Sequence, residues 1–280
     1  MKNNVRPVVV TIPHSGERIP PEADWLNGLP EVVQMRDVDR FVDRLYRPVL
    51  SDLNQTAITT EWHRYAGDLN RLPSDIDAGS VVGNPNVAGK YARGFLWTMT
   101  TLGEKLMSQP ISPEVHLQLV NRIYEPFHAQ VRGEFQRLKS SFSNVFHLDL
   151  HSMPSVGTGE HRDPGERRAD VVVSDCGGKS CAPAFRDLVI LSYVLSGFKV
   201  GYNWPYLGGR LTEQYGDPKK GFHSIQVELN RSLYMNEETK KFHEEKAQSV
   251  QKRLGSALNH IVQHLPSDHS CENNSSSTNQ

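Results

Sequence analysis

Residues 145–151 read Val-Phe-His-Leu-Asp-Leu-His, in which apolar and polar side chains alternate without interruption. Strict alternation predicts a β-strand, because successive side chains of a strand point to opposite faces of its sheet. One face would be apolar and the other polar: Phe146, Leu148 and Leu150 against His147, Asp149 and His151. The segment therefore predicts a strand with a hydrophobic core on one side and polar chemistry on the other.

Short apolar segments alternate along the chain with longer segments whose apolar residues recur every three or four positions. The predicted strands are 7–12, 56–60, 145–151, 169–174, 198–202 and 225–229. The predicted helices are 37–53, 113–140, 183–195 and 237–264. This alternation is typical of an α/β fold with a mostly parallel sheet covered by helices on both faces.

Proline, glycine and small polar residues set the expected boundaries. Pro126 is expected to kink or divide the helix in which it lies. Residues 73–94 predict a long surface loop, and residues 267–280, rich in Ser and Asn, predict a disordered tail. Because no linker or internal repeat interrupts the pattern, residues 1–266 are expected to form one domain.

Composition narrows the class of protein. The 280 residues include 31 Lys and Arg against 32 Asp and Glu, a formal net charge of -1 that excludes the basic surface of a nucleic-acid-binding protein. Three cysteines without a C-x-x-C pair favour free thiols in a reducing compartment. No segment approaches the roughly 18 apolar residues of a membrane span, and the run at 8–12 is too short for a signal peptide. We expect a cytoplasmic enzyme, monomeric or a small homo-oligomer, that acts on a small molecule with no nucleic-acid or membrane partner.

Polar residues lie at or near the ends of several predicted strands. In sheets of this kind, ligands bind beyond the carboxyl ends of the strands. Four such residues are therefore expected to converge on one rim: His14, His151, Asn203 and Glu228.

Two histidines from two strand ends, together with a carboxylate, make the ligand set of a catalytic zinc ion. Either histidine alone would more often be a surface or core residue. Spacing leaves the third ligand open between Glu17, Asp37 and Asp39. Glu228 is the candidate proton carrier, because a carboxylate within an apolar strand is costly unless it is paired or functional. Asp149 is expected to orient a histidine.

Two arginine-containing clusters lie in glycine- or proline-rich segments, where binding residues tend to lie. They are Asp68-Leu-Asn-Arg71 and Asn203-Trp-Pro-Tyr206-Leu-Gly-Gly-Arg210. An arginine in such a place binds a carboxylate in bidentate fashion or makes a structural ion pair. His161 and the charge run 162–168 are expected to form a solvated loop.

Taken in order, the polar motifs resemble the N-formylglutamate amidohydrolase family. The resemblance runs from about residue 7 to 236 and rests on short motifs in a fixed order. They are Pro13-His14-Ser15-Gly16 with Ile19-Pro20, Asp37-Val-Asp39, Asp68-Leu-Asn70-Arg71, Asp149-Leu-His151-Ser152, Gly208-Gly209-Arg210 with Tyr215-Gly216, and Gln226-Val-Glu228-Leu.

The resemblance implies a three-layer α/β/α sandwich with a mostly parallel mixed sheet, similar to the zinc-dependent exopeptidases such as carboxypeptidase. It implies hydrolysis of N-formyl-L-glutamate to formate and L-glutamate in histidine breakdown. Zinc would be bound by His14 and His151, one ion per chain, although another divalent metal is an alternative. The family pattern favours Asp39 as the third ligand, with Glu17 as its rival, and Glu228 as the general acid and base.

Further roles follow from the same resemblance. The expected substrate-binding residues are Arg71, Asn203, Tyr206 and Arg210, and those expected to support the ligands from behind are Asp37, Asp68, Asn70 and Asp149. The family pattern has a Ser-Arg pair before the segment of Asp68, where this chain has Glu61-Trp62-His63-Arg64-Tyr65, and whether Arg64 takes the role of that arginine is left open. Two alternatives remain: a hydrolase of another N-acyl amino acid or of a peptide, and a non-catalytic carboxylate-binding protein.

Overall fold

The structure is a computed structural model, and it describes residues 5–84 and 93–266. The tail predicted at 267–280 and most of the second half of the loop predicted at 73–94 lie outside the described residues. The rest of that loop, residues 73–84 and 93–94, contains turns and an isolated bridge between Val81 and Ile111. Among the described residues, no helix combines the length and the apolar composition that crossing a bilayer requires.

Eight strands and seven α-helices organise the described residues. The strands are β1 (Val8–Ile12), β2 (Ile58–Thr59), β3 (Val145–Met153), β4 (Val171–Ser174), β5 (Val200–Tyr202), β6 (Phe222–Asn230), β7 (Met235–Asn236) and β8 (Lys241–Phe242). The helices are α1 (Glu31–Gln34), α2 (Val42–Asp52), α3 (Pro113–Leu119), α4 (Glu125–Lys139), α5 (Pro183–Leu195), α6 (Arg210–Tyr215) and α7 (Glu244–Gln263).

Six of the strands form one sheet in the order β2-β1-β3-β6-β4-β5. β2, β1, β3 and β6 run parallel to one another, whereas β4 is antiparallel to β6 and parallel to β5. The predicted mostly parallel mixed sheet is confirmed. The reversal at β4 matters for the site. Because of it, the carboxyl ends of β4 and β5 lie at the end of the sheet where β1, β3 and β6 begin.

Helices cover both faces of the sheet, as the predicted three-layer sandwich requires. On one face, the apolar side chains of the strands pack against α2, α5 and α7 in a core that includes Phe146, Leu148 and Leu150. On the other face, α4 contributes Val131 and Phe135 to a second core. Both faces of β3 are thus buried, with apolar residues on one side and polar residues on the other.

The polar face of the central strands is continuous from strand to strand. The register places Thr11 beside Asp149, His147 beside Ser224 and His151 beside Glu228. Each of these six side chains is buried. Burying a row of polar side chains in a sheet destabilises the fold unless the side chains form hydrogen bonds with one another or with a ligand.

Two predicted helices begin later than their apolar pattern suggested. The helix predicted over 37–53 begins at Val42, because Asp39 donates its backbone N–H to the His14 carbonyl at 2.9 Å and Phe41 has a φ of +71°. The helix predicted over 237–264 begins at Glu244. The residues before it form the β7–β8 hairpin, whose turn is closed by the Asn236 side chain.

The predicted division of the helix over 113–140 is confirmed. A π-helical turn, Val120–Tyr124, separates α3 from α4 just before Pro126. Proline lacks an N–H and its ring crowds the preceding turn, so the wider turn relieves the clash. The helix predicted over 183–195 has those bounds in the structure.

Candidate metal and active site

His14 reaches the site from the sharp turn that follows β1. Gly16 makes this turn possible, because a Cβ at that position would lie 2.4 Å from the Trp62 carbonyl oxygen. A larger residue at this position would push the turn away from the Trp62 segment. His151 comes from β3, and its ring centroid lies 4.9 Å from that of His14.

Asp39 lies between the two histidines. Its Oδ2 is 2.9 Å from His151 Nδ1 and 3.5 Å from His14 Nδ1. One possible ligand atom from each of the three residues falls within 4.8 Å of the others, and all three side chains are buried. The structure thus brings together His14, Asp39 and His151.

A second carboxylate lies behind each histidine. Asp68 Oδ1 is 2.8 Å from His14 Nε2, and Asp149 Oδ2 is 3.0 Å from His151 Nε2, the latter pair close but not aligned as a hydrogen bond. A carboxylate beside Nε2 favours a proton on that nitrogen, so Nδ1 is the ring atom that each histidine would offer to a metal ion. Asp68 is itself fixed by Arg64 Nη2 at 2.9 Å, so Arg64 acts through Asp68.

Opposing effects set the pKa values of these groups. Burial would raise the pKa of Asp39, but its hydrogen bonds to His14 and His151 outweigh burial and hold that pKa well below its usual value. Burial would also raise the pKa of Asp68, but its interactions with His14 and Arg64 outweigh burial and hold that pKa well below its usual value. Both carboxylates are therefore ionised at neutral pH.

The second oxygen of Asp39 binds a residue that sequence reasoning missed. Arg231 donates from Nη2 to Asp39 Oδ1 at 3.0 Å and from Nε to Ser152 Oγ at 3.0 Å. Arg231 is buried in the short turn after β6, three residues beyond Glu228. One arginine among many carries no periodic signal, and only its place after the Glu228 strand could have suggested it.

Glu228 lies next to His151 across the β3–β6 pair. Gln226 donates to its Oε1 at 2.7 Å, and the carboxyl group is almost completely buried. Burial, assisted by the charge of Asp39, raises the pKa of Glu228. A carboxyl group with a raised pKa can both accept and return a proton near neutral pH.

These groups open onto a cavity of about 320 Å³ that contains the predicted Arg71, Asn70 and Tyr206. Asn70 accepts the backbone N–H of Leu211 at 2.7 Å and fits against Gly209, where a Cβ would lie 2.0 Å from its Nδ2. The Gly208-Gly209 segment therefore approaches the site closely because it lacks side chains.

Two further predicted residues, Glu17 and Asp37, do not contact the metal cluster. Glu17 binds Arg40 at 2.8 Å, away from the histidines, so the structure does not bring this rival to the metal cluster. Asp37 lines the cavity but binds Tyr65 and Thr101, each at 2.6 Å, and no atom of the metal cluster. The Asp37 side chain therefore stabilises the cavity wall and does not contact a candidate metal ligand.

Asn203 and Arg210 are not among the residues that line the cavity. Asn203 follows β5, whose carboxyl end lies at the opposite edge because β4 and β5 are reversed, and its amide donates to Asp175 at 2.8 Å. Arg210 begins α6 and lies 3.6 Å from Glu213. The expected convergence of Asn203 with the histidines is corrected, and substrate binding by either residue stays a prediction without a cavity position to support it.

The segment expected to be a solvated loop is partly a cavity wall. His161 and Arg162 line the cavity, and Arg168 is buried in a paired contact with Asp163 at 2.7 Å and 2.8 Å. Arg168 also donates to the Tyr206 hydroxyl at 2.8 Å. From sequence alone, a run of charged residues resembles a solvated loop, because the partners of its side chains are not visible. Here the partners of Arg168 are Asp163, from the run itself, and Tyr206, from a distant loop.

The donor set fits a divalent metal ion. Two imidazole nitrogens and a carboxylate oxygen, each imidazole held from behind by another carboxylate, form the arrangement that zinc prefers in catalytic sites. Three protein ligands also leave room for water and substrate.

Comparison with known proteins agrees with this geometry. The chain is 29% identical over 265 residues to an N-formylglutamate deformylase of Pseudomonas putida, which covers 91% of this chain and 92% of that one. A deformylase of the same name from Pseudomonas aeruginosa is 29% identical over 238 residues, 83% of each chain. Among solved structures, the N-formylglutamate amidohydrolase of Ralstonia eutropha JMP134 superposes with a TM-score of 0.81 at 27% identity, covering 94% of this chain and 96% of that one.

A protein of Agrobacterium tumefaciens shares the fold, with a TM-score of 0.64 at 17% identity over 91% of this chain and 92% of that one. The profile of the N-formylglutamate amidohydrolase family matches residues 6–235, which include the whole histidine–aspartate cluster, Glu228 and the cavity arginines. The chain therefore belongs to the N-formylglutamate amidohydrolase family.

Proposed function

We propose that this protein is a metal-dependent amidohydrolase that cleaves N-formyl-L-glutamate to formate and L-glutamate. One observation carries the proposal: the buried His14–Asp39–His151 cluster and Glu228 share a single cavity. The name of the Pseudomonas and Ralstonia relatives supports the substrate.

His14, Asp39 and His151 would bind the metal, for which zinc is the candidate, through two Nδ1 atoms and Oδ2. When bound, zinc supplies the Lewis acidity that polarises the amide oxygen and makes water a nucleophile near neutral pH. Asp68 and Asp149 keep the histidine rings in the orientation that binding requires, and Arg231 keeps Asp39 in place.

Glu228 carries the proton. It takes a proton from the attacking water as the new C–O bond forms at the formyl carbon. It returns that proton to the leaving nitrogen as the C–N bond breaks, so the products are formate and the free amino acid. Burial raises the pKa of Glu228, which favours uptake of the proton from water.

The substrate's carboxylates would be bound by arginines at the cavity wall. The candidates are Arg71 and Arg162, which both line the cavity. Charge-assisted hydrogen bonds to carboxylates give orientation as well as affinity. Tyr206, held by Arg168, would contribute a rigid polar contact beside them.

We also propose a cytoplasmic protein that acts in histidine breakdown, as a monomer or a small homo-oligomer. Among the described residues, Cys176 and Cys181 are not joined by a disulfide, and a reducing compartment is where such cysteines are usual. A hydrolase of another N-acyl amino acid remains the second candidate, because the cavity arginines would bind the carboxylate of either substrate.

The test replaces Glu228 by Gln, which preserves shape and removes the titrating group. We expect formate release to fall by about 10²–10⁴-fold in kcat while the metal content stays that of the wild type. Asp175→Asn is the matched control, since Asp175 is also a buried carboxylate but lies outside the cavity lining. Near-normal turnover by Glu228→Gln would refute the assignment.

A further inference from the structure

A chain of buried hydrogen bonds leads away from the metal cluster on the polar face of the sheet. Ser224 Oγ lies 2.7 Å from His147 Nδ1, and His147 Nε2 lies 2.9 Å from Thr11 Oγ1. Thr11 donates to Asp149 Oδ1 at 2.6 Å, and the other oxygen of Asp149 is 3.0 Å from His151 Nε2. The hydrogen bonds thus cross three strands, β6, β3 and β1, and end at Asp149, which lies beside the candidate metal ligand His151.

All four members before His151 are inaccessible to solvent. Ser224, His147, Thr11 and Asp149 each have a relative exposure of 0%. The His147 ring packs edge-on against Phe135 of α4, with centroids 5.5 Å apart. Buried polar groups of this kind are stable only when their donors and acceptors match, so the chain has a single consistent arrangement of protons.

That arrangement follows from the chemistry of the members. Thr11 donates its hydroxyl hydrogen to Asp149 Oδ1, and the carboxylate oxygen accepts. Because Thr11 has a single hydroxyl hydrogen and donates it to Asp149, its oxygen must accept the hydrogen bond from His147. His147 therefore carries its proton on Nε2, and its bare Nδ1 accepts from the Ser224 hydroxyl.

Every donor in the chain thus points the same way, from Ser224 towards Asp149. Burial lowers the pKa of His147 to about 4, which agrees with the neutral ring that this arrangement requires. Hydrogen bonds in series polarise one another, so the bonds from Ser224 and His147 strengthen the bond that Thr11 donates to Asp149 Oδ1. With Oδ1 held by Thr11, Oδ2 is left facing His151.

We propose that His147 and Thr11 are positioning residues that tune metal binding through Asp149. The inference rests on the proposed metal site and extends it three side chains into the sheet. Thr11 and His147 contact neither the cavity nor a ligand atom; they fix the carboxylate that fixes the His151 ring. Loss of the chain would free Asp149 to rotate, and with it the tautomer and orientation of His151.

The first test measures zinc affinity by competition with a chromogenic chelator. Thr11→Val removes the hydroxyl and preserves the shape, and we expect zinc to bind about 10–100-fold more weakly. Thr11→Ser restores the hydroxyl and should restore affinity. Thr212→Val is the control, because Thr212 is equally buried and its hydroxyl has no hydrogen-bond partner among the described residues.

The second test reads the direction of the chain without metal, from the imidazole nitrogens of ¹⁵N-histidine-labelled protein. The wild type should show His147 neutral and protonated at Nε2, and Ser224→Ala should leave the tautomer but shift the Nδ1 signal. A His147 protonated at Nδ1, or equal zinc affinity for Thr11→Val and Thr212→Val, would overturn the inference. Absence of zinc binding by the wild type would instead refute the proposed function, and the nitrogen spectrum would still decide the direction of the chain.

Discussion

Arg162 differs from three of the other arginines of the cavity wall in its partners. Arg64, Arg93 and Arg231 each bind a carboxylate: Asp68, Glu160 and Asp39. Arg162 instead lies over the Trp204 ring at 4.8 Å and makes a long 3.4 Å contact with the Pro205 carbonyl, and among the described residues no carboxylate pairs with it. A cation in this position is suited to an anionic substrate.

Replacing Arg162 by Gln should therefore raise the KM for N-formyl-L-glutamate by about tenfold or more and change kcat much less. The expected size is that of a hydrogen bond to a charged group, about 1.5–3 kcal/mol. Steady-state kinetics of formate release would measure it. Arg167→Gln, an exposed arginine of the same loop that does not line the cavity, is the control, and equal KM values for the two variants would contradict the assignment.

Sequence predicted the residues whose place follows from strand ends, and missed those whose place follows from tertiary packing. His14, His151 and Glu228 could be named because each lies in or just after an apolar strand. Asp39 needed the family pattern to separate it from Glu17. Arg231 could not be found from the sequence, because its role depends on a contact with Asp39 from 192 positions away.

Among the elements, the Gly208-Gly209 segment shows how backbone without side chains shapes the cavity. Gly209 donates its N–H to Gln226 Oε1 at 2.6 Å, which in turn positions the amide that binds Glu228. Gly208 has a φ of +117°, a conformation that favours glycine.

Gly209→Ala should lower kcat/KM by more than tenfold, because the added Cβ would collide with the Asn70 amide and displace the segment. The control is Gly255→Ala in α7, where a Cβ meets no atom within 4 Å. That variant should keep its activity and gain about 0.5–1 kcal/mol in free energy of unfolding. Urea unfolding and formate release would measure both effects, and full activity of Gly209→Ala would contradict the close packing.

The direction of each strand is the feature of the fold that could not be predicted from the sequence. The alternation of strands and helices predicted the layers and most strands, because burial on both faces leaves an apolar signature. Nothing local reveals that β4 runs antiparallel to β6, and that one reversal moved Asn203 from the expected rim to the opposite edge. The late starts of α2 and α7 have the same origin, since tertiary contacts of Asp39 and a hairpin turn override helical periodicity.

Across the whole molecule, buried neutral histidines make stability depend on pH. Burial lowers the pKa of His63, His128 and His147 to about 4 each. Below about pH 6.5 the unfolded chain takes up these protons and the folded chain does not, so acid favours unfolding. Each histidine should cost about 1.4 kcal/mol of stability per pH unit between 6.5 and 4.

Urea unfolding of the wild type and of His128→Gln at pH 7 and pH 5.5 measures one such contribution. His128 hydrogen-bonds Tyr215 and the Leu69 carbonyl, and glutamine supplies a donor and an acceptor without titrating. The wild type should lose about 1 kcal/mol more than the variant over this interval. Equal losses would show that the pKa of His128 is the same in the folded and the unfolded chain, which would contradict the prediction.

The central claim is that a metal bound by His14, Asp39 and His151 is required for hydrolysis of N-formyl-L-glutamate. The most direct measurement strips the purified protein with a chelator and follows formate release as zinc is added back. We predict that activity disappears on stripping and returns in proportion to zinc, reaching its limit at about one ion per chain. Undiminished formate release by the metal-free protein would contradict the account.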